Sequence, residues 1–336
     1  MTDHIRMTLD EARDLAIRVL ETNGCDAANA AAIADNLAAA ERDVCESHGL
    51  FRLPGYVASL REGIVDGKAV PSVEQIAPGT VRVDAKGGYA PLAIRTGMPT
   101  LIDLARTQGI AGLALRNIYH YAALWPEIEM LTDEGLVGMA FTAAAPMVAP
   151  AGGTRPFFGT NPMAFGFPRD GAPPLVFDQA SAFMARGDVM IHARDGKEVP
   201  IGCGIDAAGN PTTDPNEVLA GAQLPFGGYK GSAIAMMVEL LAGGLIGDLF
   251  SYEAGRAGYL PGGPPPGGEL ILAFDPARFG AGDGLSAHVE DFFHELKSQG
   301  DIRLPGERRH RNRLRTPVEG IAVKAELHAK ILELLG

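Results

Sequence analysis

The sequence predicts an α/β protein whose central sheet is largely antiparallel or mixed. Two observations carry this. Short β-branched or apolar runs recur at residues 80–83, 110–115, 136–141, 163–167, 175–177, 189–191 and 270–274, separated by Gly- and Pro-bearing loops. From 136 to 191 the connections between them are too short and too rich in Pro and Gly to be crossover helices, which parallel strands require.

The elements follow in order. Thr8-Leu9-Asp10-Glu11 reads as a capping box, and Leu9, Ala12, Ala16, Val19 and Leu20 recur at helical spacing until Gly24. Asp26 suits the N-cap of a second helix, whose stripe of Ile33, Leu37, Ala40 and Val44 runs into a corner at Ser47-His48-Gly49. A further helix is expected over 52–60. Helical stretches near 93–107 and 122–133 separate the first strands, and an apolar helix starts at Ser232.

Composition bounds the function. The 336 residues are enough for two domains, each with its own core, and 46% hydrophobic with 21% charged is the composition of an ordinary soluble globular protein. The net charge of −12 opposes a nucleic-acid role, since neutralising phosphate needs a basic face. The N-terminal residues lack the apolar segment of a signal peptide, and no apolar run is long enough to cross a membrane. Three cysteines without paired spacing, Cys25, Cys45 and Cys203, exclude a disulfide framework and suit a reducing, cytoplasmic setting. The histidines show no metal-ligand spacing, so no metal is expected.

The segment from Glu46 to Tyr56 places Ser47, His48 and Arg52 within six residues. Histidine titrates near neutral pH, and arginine's fork binds a carboxylate bidentately. If the segment is helical, His48 and Arg52 stand at i and i+4 on one face. Its spacing equally fits a surface helix with a polar face. Two glycine patterns are decoys. Gly202-Cys203-Gly204-Ile205-Asp206-Ala207 has the letters of a dinucleotide fingerprint, but Ala208-Gly209-Asn210-Pro211 makes a turn where a helix is required. Gly284-Leu285-Ser286-Ala287-His288 lacks the last glycine of a nucleophile elbow. Leu224-Pro225-Phe226-Gly227-Gly228-Tyr229-Lys230-Gly231, leading into the apolar helix, fits either a phosphate or amide cradle or a tight loop needing positive φ. The arginine-rich run from Arg303 to Arg315 fits either a solvated face or a phosphate clamp.

Four of these segments in this order resemble the malate/L-lactate dehydrogenase family of NAD(P)-dependent oxidoreductases. They are Ser47-His48-Gly49-x-x-Arg52-x-x-x-Tyr56, Phe158-Gly159-Thr160-Asn161-Pro162, Gly209-Asn210-Pro211-Thr212-Thr213-Asp214-Pro215 and Leu224-Pro225-x-Gly227-Gly228-x-Lys230-Gly231. The resemblance spans nearly the whole chain. Within the family, residues 148–159 and 185–189 look most like the Δ1-piperideine-2-carboxylate/Δ1-pyrroline-2-carboxylate reductases. The loop Gly87-Gly88-Tyr89-Ala90-Pro91-Leu92 points the same way, for it lacks the glutamine that many malate- or lactate-type members carry.

The resemblance implies a non-Rossmann NAD(P)-binding fold with a helical domain formed by the N- and C-terminal parts. It implies a division into 1–115, a helical, substrate and dimerisation part; 116–265, the cofactor domain; and 266–336, a part returning to the first. It further implies a cytoplasmic homodimer that reduces a cyclic imino acid with NADPH, or NADH, by hydride transfer to C2. Oxidation of malate, lactate or a related 2-hydroxy acid is the alternative. By resemblance His48 is the proton donor, oriented by Ser47 and Asp188, while Arg52 and Thr160 hold the substrate carboxylate. The implied cofactor contacts are His120, Tyr121, Ala122, Ala123 and Leu124; Asp178, Gln179 and Ala180; Tyr229 and Lys230; and Arg303, Leu304, Pro305, Gly306, Glu307, Arg308 and Arg309.

Overall fold

The computed structural model describes residues 4–120, 123–260, 262–280, 282 and 284–336. The ends of the chain meet, because β1 (His4–Met7) pairs antiparallel with β12 (Ile321–Lys324). Helix α1 (Leu9–Thr22) starts at the expected capping box: Thr8 Oγ1 accepts from the Glu11 N–H, and Glu11 accepts from the Thr8 N–H at 2.7 Å. Asp26 caps α2 (Ala27–Arg42) by accepting from the Asn29 N–H at 2.8 Å. With α3 (Leu53–Arg61) they form a helical layer. Its core joins Leu15, Val19, Ile33, Leu37, Tyr56 and Val57 to Ile321, Val323 and Ile331 from the C-terminal end.

The main sheet has seven strands in the order β2-β3-β4-β11-β5-β6-β7. They are β2 (Ser72–Ala77), β3 (Thr80–Asp84), β4 (Ile110–Tyr119), β5 (Val137–Thr142), β6 (Met163–Phe167), β7 (Leu175–Gln179) and β11 (Pro266–Phe274). Among the described strands of this sheet only β3 and β4 run parallel, joined by the crossover helix α4 (Ala90–Gln108). The other five pairings are antiparallel, so the sheet is mixed, as the short connections required. Val81, Val83, Leu113, Leu115 and Ile271 pack from the sheet against α4 and α5 (Trp125–Thr132).

A smaller unit sits beyond β7. It holds α6 (Arg186–Arg194), β8 (Gly204–Ile205), β9 (Pro211–Thr212), α7 (Pro215–Ala220) and β10 (Ala222–Gln223) around Val189, Val199, Cys203 and Val218. Residues 189–191, expected as a strand, are helical here. Asp188 lies in the first turn, where a carboxylate favours the helix dipole, and Val189 turns into this small core rather than onto a sheet edge. The fingerprint-like glycines at 202–204 lead into a β8–β9 hairpin, as the following turn predicted. After it come α8 (Tyr229–Glu239), a π-helical stretch (Leu240–Leu245), α9 (Ser251–Ala257), α10 (Leu285–Ser298), α11 (Glu307–Glu319) and α12 (Ala325–Glu333). Among the described residues no helix is long and apolar enough to cross a membrane.

Candidate active site

Two 3₁₀ turns, Glu46–His48 and Leu50–Arg52, connect α2 to α3, so His48 and Arg52 do not share one continuous helix as the i, i+4 spacing suggested. Gly49 breaks the path. A Cβ there would strike the Glu41 carboxyl, which accepts the Leu50 N–H at 2.7 Å and ties the turn to α2. Enclosure raises the Glu41 carboxyl to about 7, against the lowering effect of that hydrogen bond.

Ser47 Oγ lies 3.1 Å from His48 Nδ1, in hydrogen-bond contact, and Arg52 is buried beside them. His48 is pushed down to about 3, first by desolvation and then by the positive charges of Arg52 and His120, so its ring is neutral near pH 7. Its ring meets Trp125 edge-on at 6.1 Å, and the Arg309 guanidinium covers Trp125 at 5.1 Å. Helix α6 arrives from the other side. A Cβ on Gly187 would lie 2.6 Å from Arg52 Nη2 and 3.0 Å from Ser47 Cβ, so the α6 N-terminus touches the Glu46–Arg52 turns directly. This brings half-buried Asp188 to the site, although its carboxylate makes no side-chain hydrogen bond among the described residues.

The remaining implied segments converge on the same end of the sheet. Asp178, near the end of β7, accepts the Leu124 N–H at 2.8 Å and caps α5, which joins the 123–124 and 178–180 segments. Burial raises Asp178 to about 6, opposed by its hydrogen bond from Leu124. Tyr121 and Ala122 lie outside the described residues. The Thr160 carbonyl accepts both the N–H and the hydroxyl of Ser181 at 2.9 Å, and the Ser181 carbonyl accepts the Phe226 N–H at 3.0 Å. Thr160, residues 178–180 and the loop before α8 are thereby laced together. Gly227 and Gly228 both have positive φ, 55° and 60°, as a tight loop demands, and Tyr229 and Lys230 stand exposed at its tip.

The arginine run divides its work. Arg313 reaches inward to Asp43 at 2.5 Å and Glu129 at 2.6 Å, anchoring α11 to α2 and α5. Arg309 donates to the Val176 carbonyl at 2.6 Å, while Arg303, Arg308 and Arg311 are exposed. Gly306, with φ 87°, turns the chain into α11, Leu304 is buried, and Glu307 pairs with Lys297.

Several residues at the site escaped sequence reasoning. Trp125, the only tryptophan, was readable as a core aromatic and nothing more. Asn161, buried with φ 42°, donates to the Ala235 carbonyl and to Glu239, whose other oxygen accepts the Ser251 N–H at 2.8 Å; the Thr160 loop is thus fastened to α8. Glu127 and Glu269 escaped sequence reasoning too: a carboxylate oxygen of each stands 3.4 Å from Nε2 of His120, itself one of the implied cofactor contacts, and all three are buried. The available signal was Glu269 itself, a charge inside an apolar strand pattern.

The arrangement offers a guanidinium for an anion, an imidazole backed by a hydroxyl, and buried N–H donors beside them. Trp125 Nε1 and Arg309 Nε are buried without a hydrogen-bond acceptor among the described residues. A model of a family described as malate/L-lactate dehydrogenase matches residues 7–332. The Δ1-pyrroline-2-carboxylate/Δ1-piperideine-2-carboxylate reductase of Pseudomonas aeruginosa is 48% identical to the chain, covering 98% of it and 99% of the relative. The Δ1-pyrroline-2-carboxylate reductase of Ancylobacter novellus is 47% identical, over 99% of this chain and 98% of its own. The crystal structure of Δ1-piperideine-2-carboxylate reductase from Pseudomonas syringae pv. tomato superposes with a TM-score of 0.93 at 44% identity, covering 98% of this chain and 99% of that one.

Proposed function

Because the chain belongs to the malate/L-lactate dehydrogenase family, we propose that it is an NADPH-dependent reductase of cyclic ketimine carboxylates, converting Δ1-pyrroline-2-carboxylate to L-proline and Δ1-piperideine-2-carboxylate to L-pipecolate. The observation that carries this reading is 48% identity over 98% of the chain to a reductase of both imines.

The site's chemistry supports it. Arg52 binds the substrate carboxylate, fixing the ring so that C2 faces the cofactor. An anion on Arg52 also neutralises one of the charges that keep His48 deprotonated, so the substrate itself favours protonation of the ring. The imidazolium then donates Nδ1–H to Ser47 Oγ, and the Ser47 hydroxyl turns toward Asp188. From Nε2 the ring gives its proton to the imine nitrogen and returns to neutral. A bound nicotinamide supplies the hydride to C2. Trp125 Nε1 and Arg309 Nε are donors that fit the oxygens of such a cofactor, and the Gly227-Gly228-Tyr229-Lys230 loop fits its passage at the α8 N-terminus. Exposed Arg303, Arg308 and Arg311 favour the extra phosphate of NADPH over NADH.

The homodimer implied by the resemblance is supported by an exposed apolar face running from α8 into the π-helical stretch, through Tyr229, Met236, Leu240 and Leu245. Light scattering during gel filtration should return twice the chain mass. Loss of NADPH absorbance on adding each imine tests the reaction. No consumption anywhere across roughly pH 5 to 9 overturns the reading. Faster oxidation of malate or lactate with NAD would assign the chain to 2-hydroxy acids instead.

A further inference from the structure

His120, at the end of β4, lies against Glu127 of α5 and Glu269 of β11, and one donor atom from each falls within 4.8 Å of the other two. Glu269 is fully buried beside the register shift in β11, and neither of its carboxylate oxygens accepts a hydrogen bond among the described residues. A buried ion in that condition is costly. A carboxylate oxygen of Glu127 lies within 4.8 Å of one of Glu269, both side chains are buried, and two carboxyl groups held this close away from water need a proton between them.

We propose that Glu127 and Glu269 share one proton in a carboxyl–carboxylate hydrogen bond, and that the pair, with its single negative charge, is a positioning unit that holds His120 at the rim of the active site. The Glu269 carboxyl donates to Glu127, and the charge left on the pair attracts His120 Nε2, directing the ring. Burial, reinforced by Glu127 and by Asp178, holds the Glu269 carboxyl well above the usual range, the direction a shared proton requires. The charged or titratable groups around the pair are His120 itself, Asp178 from β7 and His48 from the 3₁₀ turn, with Arg309 beyond Trp125. Ionisation of Glu269 at alkaline pH would set two negative charges against each other and beside Asp178, displacing His120 and closing activity from the alkaline side. The role of His120 at the site rests on the reductase reading; the shared proton does not.

Infrared spectra of the full-length protein at neutral pH should contain the absorption of buried protonated carboxyls, and Glu269→Gln should remove one such band while that of Glu41 remains. That readout needs no substrate and stands even if the reductase assignment fails. Glutamine mimics a protonated carboxyl, so Glu269→Gln should keep kcat within about twofold at neutral pH and move the alkaline fall of kcat/KM upward by about one pH unit or more. The double variant Glu127→Gln/Glu269→Gln, which has lost the charge, should fall at least about tenfold. No carboxyl band lost in Glu269→Gln, an alkaline limb unmoved in Glu269→Gln, a Glu269→Gln protein that does not fold, or a stoichiometric divalent metal in the purified wild type would each overturn the proposal.

Discussion

Gly187 and Gly49 are the positions where the smallest change should have the largest catalytic effect. A methyl group on Gly187 meets Arg52 Nη2 and Ser47, so Gly187→Ala should push α6 away from the turn that carries the proposed proton donor. Misplacement of that kind costs on the order of 10²-fold in kcat/KM, with thermal stability changed little, which kinetics and calorimetry on one sample can check. His48→Gln should lower kcat by about 10²-fold or more while NADPH binding, followed by its fluorescence, persists. The same residue makes a pH prediction. Its folded pKa of about 3 lies below the unfolded value of 6.5, so the folded state binds fewer protons. Its contribution is full above the unfolded value and is lost as pH falls toward the folded one. Wild type should therefore lose more melting temperature than His48→Gln on acidification through that window.

At the scale of elements, the site depends on how α11 and the Thr160 loop are fastened. Asp43 is wholly buried; burial would raise its carboxyl, but hydrogen bonds from Arg313 and Arg42 outweigh that and hold it below the usual range. Arg313→Met leaves Asp43 and Glu129 with Arg42 alone, at 3.0 and 3.9 Å, and should cost about 1–3 kcal/mol, measurable by urea titration. Since α11 also carries Arg309, cofactor affinity should fall with stability. Asn161→Ala removes the donor to buried Glu239 and should raise KM for the imine while destabilising the fold by about 1–3 kcal/mol. The capping boxes and apolar stripes of α1 and α2 were legible because they act within a few residues. Residues 189–191 were not, since their helix depends on a core formed with residues 199, 203 and 218.

For the whole molecule, the decisive experiment is a panel of the two imines against 2-keto acids, each with NADPH and NADH. Imine reduction faster with NADPH is the expected result, and the exposed arginines of 303–311 predict that raising ionic strength weakens NADPH more than NADH. The amino-acid sequence by itself determined the mixed sheet, through connections too short to cross over. It also carried the identities of the proposed proton donor and carboxylate grip, because Ser47, His48 and Arg52 are neighbours in the chain. Only the tertiary structure decided what those groups experience. The neutrality of His48, the contact of Gly187 with Arg52, and the meeting of Glu127 with Glu269 across 142 positions arise from burial and from strand β11 entering between β4 and β5. Local spacing reports which groups are near along the chain; desolvation and long-range charge are set by what the fold packs around them.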